Sequence, residues 1–327
     1  MANAQGGTVR RRHQLAAVCT ALTMGATALA LHTHAQQPAA ATPDLWTIGM
    51  YTGPSPLQLS TAAGAKNPVL TGADVTDMPD LALDTGAHPS LVVDDARHYM
   101  FFTAKDLQTN KGGIGLAEST DGLTWTFRRT VVREPFVLSG PYVFKWQDTY
   151  YMIAESYTEP AVRLYRATTF PDRWTYERDL IAGKPGDQFI SPTLLHHEGM
   201  WYLFTTPGGN DTLRLHNAPD LSGKWTEHPA SPLVNKDPNI ARPAGRPFRL
   251  DGSLYRLAQD CAPTYGLQVY AFRMTTLSPT AYAEEQVTLP LVSASGQGWN
   301  GKAMHHVDAV ERSPGRWIAA VDALGAR

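Results

Sequence analysis

Between Gly140 and Tyr157 the chain reads GPYVFKWQDTYYMIAESY: two short runs of aromatic, β-branched and other apolar residues, separated by a polar triplet. Tyr142 to Trp146 reads as a strand, Gln147-Asp148-Thr149 as a tight turn, and Tyr150 to Ser156 as a second strand. A turn signal between runs of this composition predicts a hairpin rather than a helix. The pattern recurs. His88-Pro89-Ser90 leads into LVVDDARHYMFFTA, Ser191-Pro192-Thr193 into LLHHEGMWYLFTTP, and Arg246-Pro247-Phe248 into RLDGSLYRLAQD. The second strand of each hairpin carries a tyrosine, Tyr99, Tyr151, Tyr202 and Tyr255, at spacings of 52, 51 and 53. A fixed period of this size marks a repeat architecture.

Each hairpin is followed by a third short strand: Ile114 to Glu118, Arg163 to Ala167, Leu213 to Asn217 and Val269 to Arg273. A turn and an aromatic residue come next, ending at Trp125, Trp174, Trp225 and Tyr282, and then a fourth strand such as Trp125 to Val131. Four antiparallel strands per unit, repeated around a ring, predict the blades of a β-propeller. Four units are complete and a fifth is split. Val307 to Val310 and Arg316 to Ala323 supply its inner strands, and Trp46 to Tyr51, with Leu57-Gln58-Leu59, its outer ones. Pairing the two ends closes the ring and removes free sheet edges. The expectation is an all-β, five-bladed β-propeller over residues 44–325, with a β-sandwich as the competing fold. Asn67 to Gly86 is a long connection into blade one, and no helix of ordinary length is evident.

The start of the chain follows a different pattern. Arg10-Arg11-Arg12 precedes an apolar, Ala-rich run from Leu15 to Leu31, and Thr33-His34-Ala35 offers the small residues of a cleavage site. Residues 1–35 therefore read as a signal peptide and 36–43 as a polar linker, placing the protein in a secreted or periplasmic setting. The Arg11-Arg12 pair leaves Sec and twin-arginine export both open. Cleavage removes three arginines and no acid, moving the formal net charge from -2 to -5. No basic run remains, which argues against nucleic acid as a partner. Cys19 falls in the signal, leaving Cys261 as the lone cysteine and no intrachain disulfide. No segment after the signal is long and apolar enough to span a membrane. With 43% hydrophobic and 18% charged residues among 327, the chain can bury its core unaided, and a monomer is expected.

A propeller gathers the starts of its innermost strands around a central funnel, so chemistry is sought there. The residues before the blade-opening prolines are His88, Gly140, Ser191 and Arg242, and none is a carboxylate. Four residues after each marker tyrosine stand Thr103, Glu155, Thr206 and Gln259, on the same strand face as the tyrosine. Only Glu155 is ionisable as an acid, and a buried carboxylate needs a partner. An ion pair with Arg163 or Arg242 and a catalytic role both stay open. Arg242 and Arg246 offer guanidinium forks suited to carboxylates, phosphates or sugar hydroxyls, or to tying blades together. Asp260 is a second candidate acid. His305, His306 and Asp308 open blade five. Strand alternation would turn only one of the two histidines inward, and that histidine with Asp308 could serve acid–base work. No metal cluster or phosphate loop is evident and no cofactor is expected, with a calcium ion in the funnel left open. Asp84 and Asp187 lie just upstream of blades one and three.

Several stretches resemble one family: Trp46 to Pro56, Asn67 to Asp77, Pro141-Tyr142-Val143-Phe144, Ala241 to Arg246, Gln259-Asp260-Cys261 and His305-His306-Val307-Asp308. It is the propeller found as the N-terminal domain of plant glucosamine inositolphosphorylceramide transferases and in free-standing bacterial proteins. More distantly, the chain is similar to the five-bladed propellers of glycoside hydrolase family 43. The first resemblance implies a carbohydrate-directed domain. Glycosyl transfer belongs to a separate C-terminal domain in the plant proteins, and such a domain is not expected here. The second implies hydrolysis by a pair of carboxylates, with Asp in blades one and two and Glu in blade three. This chain instead has His88, Gly140 and Ser191 at the openings. The expected function is therefore binding of a glycan or glycoconjugate through His88, Tyr142, Arg242, Arg246, Gln259, His305 and His306. The alternative is hydrolysis by Glu155, Asp260 and Asp308.

Overall fold

The hairpin at residues 139–155 forms as its pattern predicts. Tyr142 pairs with Ile153, Phe144 with Tyr151 and Trp146 with Thr149. The turn residues Gln147 and Asp148 both have positive φ, 47° and 62°. Two left-handed residues in succession match the right-handed twist of the flanking strands. The same device closes blades three and four, at Glu198-Gly199 and Asp251-Gly252.

The computed structural model describes residues 45–78, 83–84, 88–94, 96–106, 112–156, 158–287 and 289–326. The expected signal peptide and linker lie outside these residues. Pro43–Arg327 forms one compact unit. The chain begins with β1 (Trp46–Ser55) and β2 (Gln58–Thr61). Blade one holds β3 (Leu83–Asp84), β4 (Ser90–Asp94), β5 (Arg97–Asp106), β6 (Gly112–Ser119) and β7 (Thr126–Arg133). Blade two holds β8 (Ser139–Trp146), β9 (Thr149–Glu155), β10 (Ala161–Thr169) and β11 (Arg173–Ala182), hydrogen-bonded in that order. Blade three holds β12 (Ile190–His197), β13 (Met200–Thr206), β14 (Thr212–Ala218), β15 (Thr226–Glu227) and β16 (Val234–Asn235). Blade four holds β17 (Arg242–Pro243), β18 (Phe248–Leu250), β19 (Ser253–Gln259), β20 (Gln268–Leu277), β21 (Tyr282–Gln286) and β22 (Val292–Ser293). Blade five joins β23 (Val307–Ser313) and β24 (Arg316–Leu324) to the first two strands in the order β2-β1-β24-β23. The five sheets form the five-bladed propeller that the repeat predicts.

Burial grades outward, as packing of blade on blade requires. In β13 every residue from Trp201 to Thr206 is buried, whereas β11 is mostly exposed. Among the described residues the buried apolar side chains form five clusters, one per blade junction. The cluster between blades one and two joins Phe101, Ile114 and Leu116 to Val143, Met152 and Tyr165. The one between blades five and one joins Ile48, Met50 and Ile318 to Leu91, Met100 and Phe102. Ring closure is antiparallel, running from Trp46 opposite Leu324 to Gly53 opposite Trp317.

One element departs from expectation. The innermost strand of blade four is broken between β17 and β18. Pro243 and Pro247 lack ladder donors. Between them Gly245 has φ 137°, and a Cβ there would stand 1.8 Å from the carbonyl oxygen of Val307. The two arginines on either side of the break reach different carboxylates, Arg242 facing Glu155 and Arg246 facing Asp308. Two short 3-10 turns, Gly72–Asp74 and Gly298–Asn300, are the helical elements among the described residues. No helix there is long and apolar enough to cross a membrane.

Candidate functional site

The position four residues after each marker is where the blades meet. Thr103 Oγ1 accepts a hydrogen bond from the Gly140 backbone at 2.9 Å. Glu155 Oε2 accepts from the Ser191 backbone at 2.6 Å. Asp322 Oδ2 accepts from the His88 backbone at 2.9 Å. Each donor opens the next blade in a left-handed conformation, with φ 56° at Gly140, 48° at Ser191 and 53° at His88. That conformation is costly for a residue with a Cβ. A carboxylate or hydroxyl on the preceding blade holds it in place.

Glu155 is fully buried. The Ser139 hydroxyl donates to its Oε1 at 2.9 Å, opposite the Ser191 contact on Oε2. Arg242 Nη2 stands 3.9 Å from Oε2. The same guanidinium donates from Nε to Ser191 Oγ at 2.9 Å and from Nη1 to Asn210 Oδ1 at 3.0 Å. Its face lies 5.5 Å from the ring centre of Tyr265, which is 40% exposed. The buried Gln259 lies near the Tyr265 hydroxyl. Desolvation raises the pKa of that hydroxyl, opposed by Arg242 and Gln259. No hydrogen bond of ordinary geometry reaches either amide atom of Gln259.

The histidines form the adjoining wall. The His305 ring stacks on Trp46 at 3.7 Å and on His88 at 4.8 Å. The His306 ring meets His88 edge-on at 5.4 Å. Both histidines therefore reach His88. They precede β23, so the alternation that would have separated them does not apply. Burial lowers all three pKa values, His88 to about 4, His306 to about 3 and His305 well below 6.5, the last also pushed down by Arg242. All three are neutral at pH 7. Asp322 is raised by its own burial. The backbone N–H groups of His88 and His305 donate to it, and His305 Nδ1 lies 2.8 Å away. With Asp322 as acceptor, the neutral His305 carries its proton on Nδ1. A carboxylate partner that fixes a histidine tautomer in this way sets what the second nitrogen can do.

The remaining candidates sit elsewhere. Asp308 takes two bonds from Arg246, from Nε at 2.8 Å and Nη2 at 3.0 Å, and one from the Leu91 backbone at 2.6 Å. Arg246 Nη2 also donates to the Val143 carbonyl at 2.8 Å, with the guanidinium over the Tyr142 ring at 4.7 Å. The Tyr142 hydroxyl donates to the Leu194 carbonyl at 2.6 Å. These contacts tie all five blades together. Asp260 folds the loop that carries Tyr265: its carbonyl accepts from Gly266 and Leu267, and its Oδ2 accepts from Gln268 at 2.8 Å. Asp187 is exposed and caps its own turn through the Lys184 backbone at 2.7 Å. The structure thus groups Glu155, Arg242, Gln259, His88, His305 and His306. It places Arg246, Asp308 and Tyr142 in an interior strut. Asp322, Trp46 and Tyr265 join the first group without having been singled out by sequence. Asp322 had a signal: it stands four residues after Ile318, the same spacing with isoleucine in place of tyrosine. Among the described residues no three His, Cys, Asp or Glu side chains are arranged to hold a metal ion.

A family profile described as glucosamine inositolphosphorylceramide transferase 1, N-terminal, matches residues 41–324. The chain belongs to this family. Glucosamine inositolphosphorylceramide transferase 1 of Oryza sativa subsp. indica is 38% identical over 299 residues, which is 85% of this chain and 40% of the relative. The Arabidopsis thaliana protein of that name is 36% identical over 300 residues, 85% of this chain and 38% of the relative. The chain thus spans about two fifths of the length of these curated relatives. Among solved structures it is similar to the catalytic domain of an α-L-arabinofuranosidase from Coprinopsis cinerea. The TM-score is 0.57 at 14% identity, covering 86% of this chain and 98% of that one. It is also similar to a family 117 glycoside hydrolase from Zobellia galactanivorans, with TM-score 0.52 at 17% identity, covering 72% and 83%. At such identities the likeness is one of fold. In this member of the transferase N-terminal family, Trp46, Arg242, Gln259 and His305, drawn from four separate stretches of the family pattern, meet at one place.

Proposed function

We propose that the propeller binds a glycan or glycoconjugate in its central funnel. One observation carries the reading: a carboxylate, a guanidinium, a primary amide and neutral imidazoles converge beside the faces of Trp46 and the half-exposed Tyr265. Sugars present alternating donors and acceptors on a ring with apolar faces. A site that binds one needs convergent polar groups on a largely preformed concave surface. The family's name directs the first choice of ligand, an inositolphosphorylceramide headgroup bearing glucosamine. Export through residues 1–35, a secreted or periplasmic location and a monomeric state belong to the same proposal. Mass spectrometry of the exported protein tests the first of these, with Gln36 as the expected new N-terminus.

The test of binding is calorimetric titration of the full chain. The probes are glucosamine, myo-inositol 1-phosphate, and phosphatidylcholine vesicles containing glucosaminylated inositolphosphorylceramide. Saturable binding by at least one probe is expected, weakened tenfold or more in Tyr265→Ala, with the melting temperature of the variant checked alongside. Binding that ignores Tyr265→Ala and Arg242→Ala, or no binding by any probe, overturns the reading.

One observation favours hydrolysis as a second reading. Glu155 and Asp322 both lie within electrostatic reach of His88. Two carboxylates at one site are what glycoside hydrolysis requires. Release of reducing sugar from the same headgroup, abolished in Glu155→Gln, supports it; turnover unchanged in Glu155→Gln removes Glu155 from that role.

A further inference from the structure

Five positions in the ring are equivalent: Thr103, Glu155, Thr206, Gln259 and Asp322. Three of them latch the next blade by accepting its opening backbone N–H. Thr206 and Gln259 do not. Both are buried, 0% and 1% exposed, yet the Thr206 hydroxyl makes no hydrogen bond, and the Gln259 amide makes none of ordinary geometry, its side-chain contact being with the Tyr265 hydroxyl. The cause lies in the blades that follow. Blade four opens with Arg242 and blade five with His306, and neither has the positive φ of His88, Gly140 and Ser191. Without that left-handed turn the opening N–H is not aimed at the preceding blade. The N–H groups at the start of blade five go elsewhere: that of Val307 to the Ala244 carbonyl and that of His305 to Asp322.

Buried polar groups are nearly always paired, and an unpaired one weakens the fold. Two such residues, at equivalent places on neighbouring blades, flank Arg242. Arg242 pairs in register with Gln259, and its Nε bonds Ser191, next to the Ile190 that pairs with Thr206. Resting on the proposed glycan site, we infer that Thr206 and Gln259 read ligand hydroxyls, so that the ligand sits off the ring axis against blades three and four. A primary amide sets an acceptor and two donors side by side. That arrangement matches two adjacent ring hydroxyls, and the threonine hydroxyl serves a third. The ligand class is a polyhydroxylated six-membered ring with a vicinal diol, which both a pyranose and inositol provide. Tyr265 lies over Arg242 and beside Gln259, with its ring against His305 on the blade-five side.

Thr206→Val and Gln259→Leu keep shape while removing the polar atoms, and Thr103→Val does the same to a latch. The full-length variants are melted without ligand and then titrated with glucosamine and with myo-inositol 1-phosphate, which distinguish a sugar from an inositol source. Thr206→Val and Gln259→Leu are expected to bind tenfold or more weakly, with melting temperatures unchanged or raised. Thr103→Val is expected to melt lower and, where folded, to bind within twofold of wild type. A melting temperature in Thr206→Val depressed as far as in Thr103→Val overturns the assignment by making Thr206 a latch. Wild-type binding that both variants retain overturns the assignment alone. A wild type that binds neither compound, nor the vesicles above, overturns the glycan site and the assignment with it.

Discussion

Glu155 accepts hydrogen bonds from the Ser139 hydroxyl and the Ser191 backbone and faces the Arg242 guanidinium at 3.9 Å, with no solvent access. Replacing it by glutamine leaves shape intact but strips a buried cation of its counter-charge. Glu155→Gln should lower unfolding free energy by about 3 kcal/mol, read by urea denaturation. The histidines give a second expectation. The folded pKa of His88 is about 4 against 6.5 unfolded, and His305 and His306 are lowered too. Below about pH 6.5 the unfolded chain takes up protons that the folded one refuses, so stability falls as pH drops. His88 alone accounts for about 3 kcal/mol between pH 6.5 and pH 4, and His88→Phe should flatten the dependence of melting temperature on pH across that window. Sequence reached Glu155 because three sister blades carry uncharged residues at its position. It passed over Asp322 because the fifth blade marks its second strand with Ile318. A comparison keyed to tyrosine cannot see an isoleucine at the same place in the strand.

The strands themselves were legible almost throughout, because inner strands are buried on both faces and read as unbroken apolar and aromatic runs. The turns carry conformations that residue type does not fully announce. Gln147 and Asp148 occupy a left-handed pair where Asn-Gly is the favoured choice. The double substitution Gln147→Asn with Asp148→Gly should stabilise the protein by about 0.5–1 kcal/mol, seen as a raised denaturation midpoint with an unchanged slope. An unchanged midpoint would mean that the rest of the hairpin already sets the turn. Blade four was the least legible unit. Its inner strand is divided by Pro243, Gly245 and Pro247, and that division sends Arg242 toward Glu155 and Arg246 toward Asp308. Two arginines four residues apart thus serve different clusters, a separation that spacing along a continuous strand would not produce.

At the level of the whole molecule, Arg246 is the hub. Its guanidinium holds Asp308 of blade five by two bonds and a carbonyl of blade two by a third, while Asp308 holds the Leu91 backbone of blade one. A lysine keeps the charge and loses the fork. Arg246→Lys should therefore destabilise the ring by about 3 kcal/mol, measured as a lower urea midpoint in a single cooperative transition. Loss of one blade's signal ahead of the others would show that the strut is local. The five-blade count was legible because repeat spacing and split ends agreed. The strut was not, since it depends on side chains meeting across the ring from segments far apart in sequence.

The closing sheet also sets an order of events. Thr47 and Ala323, bonded across β1 and β24, are 276 residues apart. At cellular rates of roughly 5–20 residues per second, the ribosome needs about 15–55 s to deliver the second after the first. For that interval β1 has β2 beside it, but its other edge, the one that faces β24, has no strand partner, and four blades of a five-blade ring stand with a gap. Closure thus waits until β24 has been made, and it is set by how soon that strand finds β1.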